Sequence, residues 1–129
     1  MGQGNGKVGR YGEDLAARYL QEHGFVLLSR NYRAGRLGEL DLVALAEDGN
    51  SLCFVEVKTR TGSTHGSPAE AVTKDKQRRV RRMAQVFLQE RSVMEYGNWS
   101  DRPIRFDVVE VLLDREQRTA RVHHIPQAF

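Results

Sequence analysis

The stretch from Gly38 to Arg60 constrains this chain more than any other. It reads Gly-Glu-Leu-Asp-Leu-Val-Ala-Leu, then Ala-Glu-Asp-Gly-Asn-Ser, then Leu-Cys-Phe-Val-Glu-Val-Lys-Thr-Arg. Two apolar runs flank a polar segment holding Asp48-Gly49, among the strongest hairpin dipeptides. Two neighbouring strands joined by a turn are therefore expected, over about 38–45 and 51–59. Side chains alternate across a strand with a period of two. Glu39 and Asp41 thus share one face of the first strand, and Glu56, Lys58 and Arg60 share one face of the second. Buried carboxylates are costly unless paired or metal-bound. Either this face opens into a cleft, or its charges neutralise one another there.

The flanking segments supply what these strands pack against. Leu15, Ala16, Tyr19 and Leu20 follow helical spacing, which predicts an amphipathic helix from about Arg10 to His23, closed by Gly24. Glu13 then falls in its first turn, where the helix dipole favours a carboxylate. Phe25 to Tyr32 reads as a strand. Ser67-Pro68-Ala69-Glu70 combines an N-cap, a proline at the first helical position and a capping glutamate. The helix it opens is expected to reach about Glu90, with Val80, Met83, Ala84, Phe87 and Leu88 as its apolar stripe. A loop with Tyr96 and Trp99 follows. Ile104 to Leu113 and Thr119 to Ile125 read as the last strands, and His123 and His124 fall on opposite faces, so they form no joint metal site. The element order is αβββαββ: an α/β domain, with a meander of early strands and a helical crossover into one central mixed β-sheet flanked by helices.

Composition narrows the function classes. The chain has 129 residues, 40% of them hydrophobic, enough for one core. Residues 1–8 are glycine-rich and polar and are expected to form a disordered tail, leaving 9–129 as a single domain. No apolar run approaches the roughly 18 residues of a membrane span, and the N-terminus has no apolar signal-peptide core. No membrane partner and a cytoplasmic location are the expectations. Cys53 is the lone cysteine and lies in a hydrophobic strand, which reads as packing. The net charge is only +3, but Lys74, Lys76, Arg78, Arg79, Arg81 and Arg82 crowd nine residues opposed by Asp75 alone. Such a run is either a solvated helix face or an anion-binding one.

Carboxylates and an amine on adjacent strands suit metal-assisted phosphodiester hydrolysis, with hard oxygen ligands favouring Mg2+ or Mn2+. The competing reading is a structural salt-bridge network, Glu56 with Lys58 and Asp41 with Arg60.

Asp41 followed by Glu56-Val57-Lys58 at the end of a hydrophobic strand resembles the PD-(D/E)XK nuclease superfamily, as does the order of elements. More narrowly, the chain resembles the YraN-like family, related to archaeal Holliday-junction resolvases. The matching segments are Gly12-Glu13, Ala16-Ala17, Tyr19-Leu20, Gly38 to Leu42, Phe54 to Arg60, Arg105 to Val109 and His124-Ile125-Pro126. The resemblance implies a restriction endonuclease-like fold. It implies Asp41 and Glu56 as metal-binding carboxylates, the Val57 carbonyl as a backbone ligand and Lys58 as the catalytic lysine. Glu13 matches a first-helix glutamate that joins the resolvase-type site. Leu40 stands where the superfamily's name has proline, a departure that many members share. Lys76 and Arg79 fall at basic helix positions of the family. With Lys74, Arg78 and Arg82 they are candidate nucleic-acid-binding residues. Asp107 is expected to be structural.

The expected function is a Mg2+- or Mn2+-dependent nuclease whose partner is nucleic acid, DNA before RNA, in branched or otherwise structured form. A homodimer would suit a protein that cuts two strands, though the sequence shows no dedicated interface. The alternatives are a non-catalytic nucleic-acid-binding module, served by the basic helix and a stacking Trp99, and a protein-interaction adaptor.

Overall fold

Five apolar runs pair edge to edge in sequence order and so build a single sheet. The computed structural model describes residues 6–62, 72–91 and 101–129. Its elements are α1 (Lys7–Glu22), β1 (Val26–Arg33), a 3-10 turn (Gly35–Leu37), β2 (Glu39–Leu45), β3 (Leu52–Thr61), α2 (Lys74–Arg91), β4 (Ile104–Asp114) and β5 (Thr119–Ile125). The sheet order is β1-β2-β3-β4-β5. All neighbours run antiparallel except β3 and β4, which are parallel because α2 lies between them in the chain. This is the α/β class and mixed sheet that the sequence implied, and the layout is compatible with a restriction endonuclease-like core.

Among the described residues each face of the sheet carries one helix. On one, Ala16, Ala17 and Leu20 of α1 pack on Leu42, Ala44, Cys53, Val55, Val109 and Val111. On the other, Val80, Met83, Ala84 and Phe87 of α2 pack on Val43, Leu52, Phe54 and Phe106. β3 is buried on both faces from Leu52 to Glu56, as befits a central strand with a parallel neighbour. Cys53 is buried, and burial pushes its thiol pKa up, so it is the packed residue expected.

Two boundaries differ from expectation. α1 starts at Lys7 rather than Arg10, so Lys7 and Val8, expected in the tail, are helical. α2 starts at Lys74, capped by the Thr73 hydroxyl, which accepts from the Lys76 amide at 3.1 Å. Val72 and Thr73 are not helical, so a helix opening at Pro68 does not run unbroken into α2. The local reason is a second start signal, Thr73 followed by Asp75 in the first turn. Ser67 to Glu70, His65, Tyr96 and Trp99 lie outside the described residues.

One feature of the sheet makes room for a site. β2 pairs with β3 only over Leu42–Leu45 against Leu52–Val55. β3 continues to Thr61 with β4 alongside along its whole length. Past Val55, therefore, β2 and β3 part like the arms of a fork, and among the described residues no strand pairs with the β2-facing edge of β3.

Candidate active site

The open edge of β3 has backbone groups to satisfy. Asp41, at the parting of the strands, does this with its side chain: its Oδ2 accepts the Val57 amide at 2.8 Å. A strand residue's N–H and C=O leave on the same edge, so the Val57 carbonyl also faces the fork. Glu56 precedes it, 2% exposed, with its side chain on the α2 face. Gly38, at φ 122°, makes the turn into β2 that a side chain would strain, and thereby sets where Glu39 and Asp41 begin.

Glu13 arrives from the other layer. It is the seventh residue of α1, in register with Ala16, Ala17 and Leu20, and is 2% exposed. The expectation that it sits in the first turn and answers the helix dipole is therefore corrected. Because α1 starts three residues early, Glu13 lies on the buried stripe. Gly12 permits the close approach: a Cβ there would stand 1.9 Å from the Thr59 hydroxyl of β3. α1 can therefore rest against β3 where the fork opens.

The three carboxylates feel one another and are poorly compensated. Burial, then the charge of Asp41, raises the pKa of Glu13 to about 7, against the pull of Asn31 and Arg30. Burial also raises Asp41, more than its bond from Val57 and the charges of Lys76 and Lys58 bring it down. Burial and Asp41 raise Glu56 in turn, against the pull of Lys76 and Lys58. Among the described residues, Glu13 Oε1, Glu56 Oε2 and, away from the fork on β4, Glu110 Oε2 are buried and accept no hydrogen bond. Arg30 stands 3.9 Å from Glu13 Oε1 but bonds Asp14 at 2.7 Å instead. Glu39 is half-buried, paired with Arg33 at 3.4 Å, and its charge adds to the repulsion on Asp41 and Glu13.

The salt-bridge network proposed from spacing pairs differently. Arg60 is taken by the buried Glu110 of β4 at 3.0 Å, and Glu56 Oε1 is paired with Lys76 Nζ at 3.3 Å. Lys76 is thus the residue whose place the basic run concealed. It sits four residues before Val80 and seven before Met83, on the buried stripe of α2, so it points at the sheet. Lys74, Arg78, Arg79 and Arg82 are exposed, and Arg78 pairs with Asp75. Arg81 lies over the Phe106 ring, 4.7 Å from its centroid. Asp107 is apart from all this: on the α1 face of β4 it is fully buried and bonded by Arg105, His124 and the Gln127 amide.

Among the described residues no three His, Cys, Asp or Glu side chains stand close enough to cage an ion by themselves. The donors present fit a more open site. Mg2+ commonly takes one or two carboxylates and fills the rest of its octahedron with water and substrate phosphate. Asp41, Glu56 and the Val57 carbonyl offer such a set, with one Glu56 oxygen buried and free of hydrogen bonds from the described residues.

The comparisons with known proteins bear on this arrangement. The model of Uncharacterised protein family UPF0102 matches residues 12–111, a span that holds Glu13, Asp41, Glu56, Lys58 and Lys76. A UPF0102 protein of Rhodococcus opacus (strain B4) is 47% identical over 122 residues, 95% of each chain. One from Pelotomaculum thermopropionicum is 46% identical over 95% of this chain and 94% of its own. One from Alkaliphilus oremlandii is 41% identical over 97% and 99%. The chain therefore belongs to the UPF0102 family, the YraN-like family that its motifs resemble.

Proposed function

We propose that this protein is a Mg2+- or Mn2+-dependent nuclease that hydrolyses phosphodiester bonds in structured or branched DNA. The observation that carries the reading is the cluster at the fork: Glu13 and Glu56, each buried with an uncommitted oxygen, both repelled by the half-buried Asp41, beside the charges of Lys58 and Lys76. A structural ion-pair cluster would satisfy its carboxylates, as Asp107 is satisfied. A site that leaves them wanting a cation is built for a ligand. The resemblance to PD-(D/E)XK nucleases supports the same reading.

Each residue then has a role. Asp41, Glu56 and the Val57 carbonyl hold the cation, with Glu13 adding negative charge from the α1 side. The cation, when bound, polarises the phosphate and makes the attacking water more acidic. Lys58 shares a strand face with Glu56, and its ammonium either orients that water or stabilises charge on the phosphate. The exposed cations of α2, Lys74, Arg79 and Arg82, neutralise backbone phosphates. The sequence carries no base-reading motif, which fits a substrate selected by shape and backbone contacts.

The test is cleavage of labelled single-stranded, duplex, flap and four-way-junction DNA, and of RNA, with Mg2+, Mn2+ or EDTA, by wild type and Glu56→Ala. Metal-dependent cutting that disappears in the variant supports the reading. Binding without cutting by both proteins favours a non-catalytic nucleic-acid-binding module, which the exposed basic face of α2 would equally serve. Neither binding nor cutting directs attention to a protein partner instead.

A further inference from the structure

Glu56 is buried, yet its close partner is a lysine ammonium reaching across from α2 and not a donor of the sheet. Lys76 Nζ stands 3.3 Å from Oε1, while Oε2 accepts nothing. The Lys76 side chain keeps about a third of its surface exposed (32%), so its stem lies along the α2 stripe and its head is at the edge of solvent. The other lysine near Glu56, Lys58, already lowers the same carboxylates' proton affinity from the strand itself.

An ammonium and a divalent cation carry the same sign and compete for the same carboxylate charge. Two such charges a few ångströms apart, partly shielded from water, repel strongly. We propose that Lys76 is a built-in counter-ion that occupies Glu56 in the absence of metal and is displaced when a divalent cation binds. This rests on the metal-dependent reading above. In the metal-free protein Lys76 limits the repulsion between Glu56 and Asp41. Its displacement leaves a lysine at the rim of the site, free for a phosphate oxygen only once the metal is in place. Lys76 is a positioning residue, acting through Glu56. It makes metal loading costly in isolation and couples it to the arrival of an anion.

The experiment is calorimetric titration of Mn2+ into the full chain without nucleic acid, for wild type, Lys76→Met, Lys76→Arg and Arg79→Met. Methionine keeps the packed stem and removes the charge. Lys76→Met is expected to bind Mn2+ about tenfold more tightly than wild type. Lys76→Arg, which can still pair with Glu56, is expected to stay near wild type. Arg79→Met removes one exposed charge from the same helix and is expected to change the affinity less than about twofold. A purely structural Lys76 would give the opposite sign, weaker binding on its removal, and that result overturns the proposal. So does equal tightening by Lys76→Met and Arg79→Met, which would reduce the effect to general charge. A wild type and Lys76→Met that both fail to bind Mn2+ would remove the metal site itself and this inference with it. Binding by wild type that Lys76→Met leaves unchanged would remove only the inference.

Discussion

Asp107 and Glu56 lie on neighbouring parallel strands, one residue apart in register, and the protein treats them in opposite ways. Asp107 is fully buried and accepts from Arg105 at 2.8 Å, from the Gln127 amide at 3.0 Å and bonds His124 at 2.7 Å. Burial alone would raise its pKa, but these partners together outweigh it and hold the carboxyl at about 2. Glu56 is just as hidden, has one ammonium for company, and is raised. Asp107 ties the C-terminal segment to the sheet, whereas Glu56, Asp41 and Glu13 store unfavourable charge that folding alone does not relieve. Fully bonded, Asp107 reads as structure; a single orphaned oxygen, as on Glu110 beside Arg60, does not make a site, but several short-handed carboxylates in one place point to a ligand.

The sharpest way to break this contrast is to remove one residue from each side. Glu56→Ala or Lys58→Ala should cut metal-dependent cleavage on the order of a thousandfold while leaving the circular-dichroism spectrum and melting cooperativity intact. Unchanged cleavage would end the assignment of the fork as the active centre. Asp107→Asn should do the reverse. It leaves His124 without its anion and Arg105 with Glu47 alone, and should cost about 3 kcal/mol in urea unfolding, with the chemical step unaltered in the protein that remains folded. A drop in turnover larger than the unfolded fraction would mean that the two regions are not separable.

Gly12→Ala tests the contact that brings Glu13 to the fork. The new methyl would meet the Thr59 hydroxyl at 1.9 Å, so α1 or β3 must give way, at about 2 kcal/mol. Activity should fall as well, and Gly12→Ala with Thr59→Ala, which removes the clashing hydroxyl, should recover part of both. No change in either stability or rate would show that α1 does not need to approach so closely.

A smaller effect of opposite sign is expected from neutralising the unsatisfied side. In metal-free buffer at pH 8, Glu56→Gln should raise stability by about 1 kcal/mol, a few degrees in Tm, because it removes repulsion with Asp41. Destabilisation would place Glu56 with Asp107 among the structural carboxylates.

The two sides should also separate along the pH axis. The pKa of Glu13 rises from 4.5 to about 7 on folding, so the folded state holds its proton more tightly. Its contribution to stability is complete below about pH 4.5 and is lost as pH rises through 7. Asp107 falls from 3.8 to about 2, so its contribution is complete above about pH 4 and is lost as pH falls through 2. Melting scans without metal should therefore decline between pH 5 and 8 from the first group and below pH 4 from the second. Mg2+ should repair only the alkaline decline. Repair of neither would count against a cation at the fork.

Much of this was legible in advance because strand signals are local. The Asp48-Gly49 hairpin, the apolar runs on either side and the alternation in Leu52 to Arg60 fix β2 and β3 without reference to the rest of the chain. The two helix starts were harder, since Thr73 competes with Ser67 as a cap and only packing ranks such signals. Glu13 and Lys76 carried a signal that was open to reading. Each continues the apolar stripe of its own helix, Glu13 at three, four and seven residues before Ala16, Ala17 and Leu20, Lys76 at four, seven and eleven before Val80, Met83 and Phe87. A charged residue in phase with a buried stripe points inward. The crowd of cations around Lys76, and the expected first-turn position of Glu13, hid that phase.

The sequence by itself determined the element order and the strand faces, because a period of two and a hairpin turn act over a few residues. It could not determine which charges meet. That Arg60 goes to Glu110, that Lys76 crosses from α2 to Glu56, and that Asp41 caps the Val57 amide all depend on where β2 leaves β3 and on how each helix lies across the sheet. Ion pairs of this kind join residues far apart in the chain, and their energy depends on burial. Both are properties of the packed sheet and helices, and no stretch of residues holds them alone.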